Sequence, residues 1–203
     1  MKLYKLALIT LMFSYLSIGC VGPLLSHNTG RSLGKGNHSL KLMGMAGSGG
    51  YYAVGYDYGV TENLDLGMKI ESLSLGYHGK YSFYNNPTGF SSAAAIGYGS
   101  TFGGSYYTAD ITGSYLVNKW EPFTSLRYTS VNSDSKELRD ASTGQVFSTI
   151  PEFDFSYMQI FVGTKYRFVD WFALSVEAAS FLSSSDVSFG SDIYYSISTE
   201  FTF

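Results

Sequence analysis

From position 51 onward the side chains alternate with a period of two, and the charges keep to one side of that alternation. Over 51–60, Tyr52, Val54, Tyr56, Tyr58 and Val60 share one face, while Ala53, Gly55, Asp57 and Gly59 share the other. The stretch 73–84 sets Leu73, Leu75, Tyr77, Tyr81 and Phe83 against Ser74, Gly76, His78, Lys80 and Ser82. Over 154–168, Met158, Ile160, Val162, Tyr166 and Phe168 oppose Tyr157, Gln159, Lys165 and Arg167, and 64–71 and 172–182 repeat the pattern. A period of two is strand geometry, and no helical period competes with it. A soluble sheet alternates too. Here, however, Asp57, Asp65, Lys69, Lys80, Asp110, Arg127, Lys165, Arg167, Glu177 and Glu200 all fall on the face that also carries the glycines and serines. Small residues with balanced charges suit a narrow barrel lumen, and the opposite face would then look at lipid.

Turn signals divide the chain into ten candidate strands, at about 38–47, 51–60, 64–71, 73–84, 89–100, 104–117, 120–131, 154–168, 172–182 and 192–203. Each is close to the length that crosses a bilayer as a tilted strand. The first is the poorest, because Met43 and Met45 fall on the wrong face. The expected fold is all-β, an up-and-down antiparallel transmembrane β-barrel of about ten strands, with eight as the alternative. An even number puts both ends of the sheet on one side. Short turns at 61–63, 84–88, 118–119 and 169–171 then face the periplasm, and the longer connections at 132–153 and 183–191 face outward. The 18 Tyr and 15 Phe exceed the needs of a core this size. Outward-facing Tyr58, Phe83, Phe90, Tyr115, Trp120, Tyr166, Phe168 and Phe172 mark one girdle, and Tyr52, Tyr98, Tyr107, Tyr128 and Tyr195 mark a second.

The closing stretch, Asp192 to Phe203, alternates Ile193, Tyr195, Ile197, Thr199, Phe201 and Phe203 with polar residues. A terminal strand ending on Phe resembles the last strand of bacterial outer-membrane β-barrels. That resemblance implies a Gram-negative outer-membrane location, outer-membrane lipid as surroundings, and reading of Phe203 by the barrel-assembly machinery.

At the other end, Lys2 and Lys5 precede an apolar run from Leu6 to Ile18, which reads as a secretory signal over 1–19. Gly19-Cys20 resembles the lipobox of bacterial lipoproteins, although Ser17 holds the place usually taken by Leu. The resemblance implies acylation at Cys20. The alternative is an ordinary signal peptide cut slightly later. Residues 20–37 are rich in Gly, Ser and Asn without periodicity, so they are expected to form a periplasmic tether outside the sheet, with the barrel covering 38–203. Gly30 to Gly36 follows no strand and opens no helix, so it matches no phosphate-binding loop.

Little in the chain suggests chemistry. A formal charge of −3 without a basic stripe argues against nucleic acid. Three scattered His and one Cys cannot build a metal set, and no cofactor is implied. A two-residue turn at Glu71-Ser72 would place Asp65 opposite His78 inside the lumen. Ten-stranded omptin-like proteases use Asp and His, but at the extracellular rim, whereas His78 lies deeper. Lipid A deacylases use Ser and His on the lipid-facing side, whereas His78 points inward. The pair therefore reads as a hydrogen-bonded lumen contact, with no catalytic residues assigned and no enzyme expected. A two-residue turn at Asn118-Lys119 pairs Asp110 with Arg127 across the lumen, and Lys165 and Glu177 are expected as a further lumen ion pair. The functional expectation is an integral outer-membrane protein, lipid-anchored at Cys20, structural or forming a narrow pore. The alternative is a surface binding module that engages an extracellular partner through 132–153.

Overall fold

The seam of the molecule joins its first strand to its last. In the computed structural model, which describes residues 23–46, 51–72, 74–101, 104–133, 135–139, 144–150, 152–184 and 193–203, β1 (His38–Ala46) pairs antiparallel with β12 (Tyr194–Thr202) from Ser39↔Thr202 to Ala46↔Tyr195. The amide of His38 donates to the Phe203 carbonyl at 2.8 Å, and the Phe203 amide returns the bond at 3.0 Å. Between these ends run β2 (Tyr51–Gly59), β3 (Leu64–Glu71), β4 (Ser74–Asn85), β5 (Gly89–Thr101), β6 (Gly104–Leu116), β7 (Trp120–Ser133), β10 (Phe153–Val169) and β11 (Phe172–Ser184). Each pairs antiparallel with its neighbour, giving a closed up-and-down barrel of ten strands. Closure leaves no edge, so every strand can satisfy its backbone inside a membrane.

Turn chemistry sets the register. Asn118 has φ 55°, as a tight hairpin turn requires, and Val117 and Trp120 exchange bonds of 2.8 and 3.0 Å across it. Counting back gives Thr112↔Ser125, Ile111↔Leu126 and Asp110↔Arg127. The β3–β4 turn differs from expectation. Ser72 takes φ 50°, and Glu71 pairs with Ser74 and Ile70 with Leu75. The register is thereby shifted by two residues, and Glu71 is kept on the lumen face, where it is 1% exposed.

Short turns lie at the end that holds His38 and Phe203, the periplasmic end, and the longer connections lie at the other. The outer connection between β7 and β10 is not wholly irregular: β8 (Lys136–Arg139) and β9 (Val146–Ile150) form their own hairpin. The outward face is predominantly apolar, with Ile96 74% and Ile111 64% exposed, an arrangement that suits a lipid environment. Its periplasmic girdle is a nearly continuous run of rings, Trp120 to Tyr166 at 4.7 Å, Tyr166 to Phe168 at 4.8 Å, Phe168 to Phe172 at 5.6 Å and Phe172 to Phe201 at 5.3 Å. A bulge between Ser82 and Tyr84 turns both Phe83 and Tyr84 outward into the same band. On the outer side, Tyr98 and Tyr107 meet at 5.0 Å. A closed barrel with an apolar belt, two girdles and a polar lumen is an integral outer-membrane barrel.

Candidate functional site

The inward face carries acids and bases in register. Lys41 meets Asp57 at 3.0 Å, Lys69 meets Glu71 at 2.5 Å and Lys80 meets Asp65 at 3.0 Å. Arg127 Nε donates to Asp110 Oδ1 at 2.7 Å, Lys165 meets Glu200 at 2.7 Å and Arg167 meets Glu121 at 2.7 Å. Two follow directly from strand pairing, Asp65 with Lys80 and Asp110 with Arg127, since opposed residues on one face bring Cβ atoms to about 5 Å. Lys41–Asp57 and Arg167–Glu121 are diagonal neighbours on adjacent strands, Lys69–Glu71 lies along one strand, and Lys165–Glu200 reaches across β11. Buried charges survive only when paired and hydrogen-bonded.

Two expected contacts are replaced. Asp65 does not face His78, because the β3–β4 register puts it opposite Lys80 and puts His78 opposite Gly67. His78 Nε2 instead lies 2.7 Å from Asp57 Oδ1, reaching over Gly67, where a Cβ would collide with both side chains. Lys165 and Glu177 also go separate ways, Lys165 to Glu200 and Glu177 to the N-terminal segment.

That segment is the main correction. Residues 23–37 do not hang below the sheet as a tether; they run through the lumen. Leu25 and His27 are fully buried and Ser26 and Thr29 nearly so. A lone extended chain inside a barrel has no strand partner, so its peptide groups must be satisfied by side chains. Carboxylates take the amides. Glu71 Oε1 accepts from Leu24 and Leu25 at 2.6 and 2.9 Å, Glu177 from Ser26 and His27 at 3.2 and 2.7 Å, and Asp65 from Leu33 at 3.2 Å. Cations take the carbonyls: Lys69 donates to Leu25 at 2.7 Å, Lys80 to Arg31 at 2.7 Å and Arg127 to Leu25 at 3.1 Å. The plug adds a cation of its own, Arg31, whose Nε donates to Glu121 at 3.3 Å.

Shape complements charge. A Cβ on Gly30 would strike the Ser91 backbone, and one on Gly59 would strike the Gly34 carbonyl, so each glycine marks a place where plug and barrel backbones touch. Toward the outer end, Leu24 and Leu25 pack on Met43, Met45, Tyr51 and Ala53. Met43 and Met45 sit on the lumen face because an apolar stretch of plug is waiting there. Beside them Tyr106, Val131, Phe155 and Tyr157 form a second inward cluster, joined by Phe153 and Phe181. Two small cavities lie beside the plug among the described residues: one of about 50 Å³ beside Pro23, Lys41 and Tyr106, and one of about 100 Å³ beside Arg31, Lys165 and Glu200. Each could hold a few waters.

His27 also brings a histidine, serines and a carboxylate together, with Nδ1 2.8 Å from Ser175 Oγ and Nε2 2.9 Å from Ser196 Oγ, near Glu177. Both ring nitrogens are occupied and the ring is fully buried, so the cluster reads as a seat for the plug. Sequence reasoning missed Glu71, assigned to a turn, and also Lys41, Glu121, Arg31 and His27. The parity of Lys41 with Met43, and of Glu121 with Arg127, was the available signal for two of them. Cys20 lies outside the described residues.

The fold and lumen together define the class, an integral outer-membrane β-barrel closed by an internal segment. No family model matches the chain, and no curated protein does. Among solved structures it is similar to the N-terminal β-barrel domain of Pseudomonas aeruginosa OprF, with 14% identity over 84% of this chain and 99% of that one at TM-score 0.43. It is also similar to the KdgM porin in complex with disordered oligogalacturonate (11% identity, 81% and 99% covered, TM-score 0.45) and to Acinetobacter baumannii Omp33 (10% identity, 83% and 99% covered, TM-score 0.36). At such scores the assignment rests on the barrel's own two faces.

Proposed function

We propose that this chain is a structural outer-membrane barrel held shut along its axis by residues 23–37, and a narrow pore only when that segment is displaced. The observation that supports this reading is the pairing of plug peptide groups with lumen charges, above all Glu71, Glu177, Lys69 and Lys80. Planar-bilayer recording tests it. The intact chain should be silent, and a variant lacking 23–36 should give conductance steps. Glu71→Gln with Glu177→Gln weakens the same seat without shortening the chain and should give intermittent openings. Steady conductance through the intact chain overturns the reading.

The same proposal includes an acyl anchor on Cys20, assembly through Phe203 and no catalytic role. Mass spectrometry of the mature N-terminus decides the anchor, since acylation requires that the chain begin at a modified Cys20. A second reading, binding of an extracellular partner through 132–153, is favoured by the β8–β9 hairpin, which gives that connection a folded element to present. Replacing it with a short turn should abolish partner binding while leaving the silent barrel intact.

A further inference from the structure

The plug has a direction. Leu24 and Leu25 bond Glu71 at the outer end of β3, and the Leu24 carbonyl accepts from the Tyr194 hydroxyl at the outer start of β12. Ser26 and His27 bond Glu177, partway along β11. Arg31 donates to the Gly89 carbonyl at 3.1 Å, at the periplasmic start of β5. Gly36 donates to the Gly59 carbonyl at 2.8 Å, at the periplasmic end of β2. The chain therefore descends from the outer half of the lumen to the periplasmic rim before turning up into β1.

We infer that the polypeptide on the N-terminal side of Pro23 leaves through the outer mouth, so that the barrel presents that end of the chain at the cell surface. Returning to the periplasm would mean passing the plug a second time. The cross-section opposes it: Gly30 and Gly59 are already in backbone contact with their neighbours, and the two cavities beside the plug described above are water-sized. The cavity beside Pro23 runs alongside the plug, from Gly76 and Tyr106 to Asn28 and Asp57, and at about 50 Å³ it is too small to pass a second strand. Reach supports the same answer. Three residues of extended chain span only about 10 Å, so an acyl group on Cys20 would be carried to the outer side and not to the periplasmic leaflet. The inference does not depend on acylation; it rests on the bonds of residues 24–36.

An epitope inserted between Gly22 and Pro23, followed by a Gly-Ser spacer, tests the direction in whole cells expressing the full chain. The same epitope in the outer connection at 140–143 and in the turn at 86–88 marks the two sides. A photoreactive residue in place of Leu25 reports the seat by cross-linking to Met43 or Tyr51. The expected result is antibody binding to intact cells equal to that of the outer-connection variant, with the cross-link retained. Binding only after permeabilisation overturns the inference. It does so whether or not the cross-link persists, because in either case the outer mouth has not passed the chain. The mature N-terminal mass is read separately, so loss of the acyl reading and loss of the surface display remain distinct results.

Discussion

The two halves of the lumen hold the same segment by different means. Toward the outside, Leu24 and Leu25 sit among Met43, Met45, Tyr51 and Ala53, and the ionic partners of this stretch, Glu71 and Lys69, meet at 2.5 Å with Glu71 fully buried. Toward the periplasm the plug is polar. Arg31, Ser32 and Leu33 are bound by Glu121, Asp65 and Lys80, and glycines let the backbones touch. The outer half thus combines area burial with a few isolated charges, whereas the inner half spreads its binding over many modest contacts. Loss of one group should matter more above than below.

The largest effect is expected from Glu71→Ala. It leaves Lys69 without its carboxylate and two plug amides without an acceptor, a loss of about 3–5 kcal/mol for a broken buried pair, seen as a lower urea midpoint and as protease access to the plug. Leu25→Ala follows, at about 2–5 kcal/mol for a buried Leu truncation, with the same readouts and an unchanged strand content. In the inner half, Ser32→Ala removes a 2.6 Å hydrogen bond to Asp65 and should cost about 1.5–3 kcal/mol, because Leu33 and Lys80 still hold that carboxylate. If Ser32→Ala proves as damaging as Glu71→Ala, the contrast between the halves is wrong. The smallest effect concerns Asp110 and Arg127. A double-mutant cycle on the midpoint should return a coupling of about 0.5–3 kcal/mol. Either single variant should be worse than the pair removed together, since each leaves one buried charge without its partner.

Legibility in the sequence follows the same divide. Strand faces and most strand bounds come directly from parity, and the β6–β7 register comes from one turn residue, Asn118. The inner half of the lumen is equally legible, because Lys80, Lys165 and Glu200 obey the alternation. The outer half is not. Met43 and Met45 look like faults in β1 until something apolar lies inside the barrel, and nothing in the local pattern of 23–37 announces that it is that thing. An extended segment satisfied by side chains has no period of its own, so its Gly, Ser and Asn content reads as a solvated tether. The Asp65–His78 expectation failed for a related reason. Both placements of the β3–β4 turn keep the faces in order, and only the burial of Glu71 by the plug distinguishes them.

The pairing of Ser39 with Thr202 has a consequence for the order of assembly. Nearly the whole strand-forming chain must be in place before this contact can form, and closing so long a loop is entropically the last and slowest step. The partners of the plug are scattered over β1 to β7, β11 and β12, so no partial sheet offers it a complete seat. Ordering of residues 24–34 should therefore coincide with closure, and the segment serves as an internal clock hand whose protection from protease marks the moment the barrel becomes a ring.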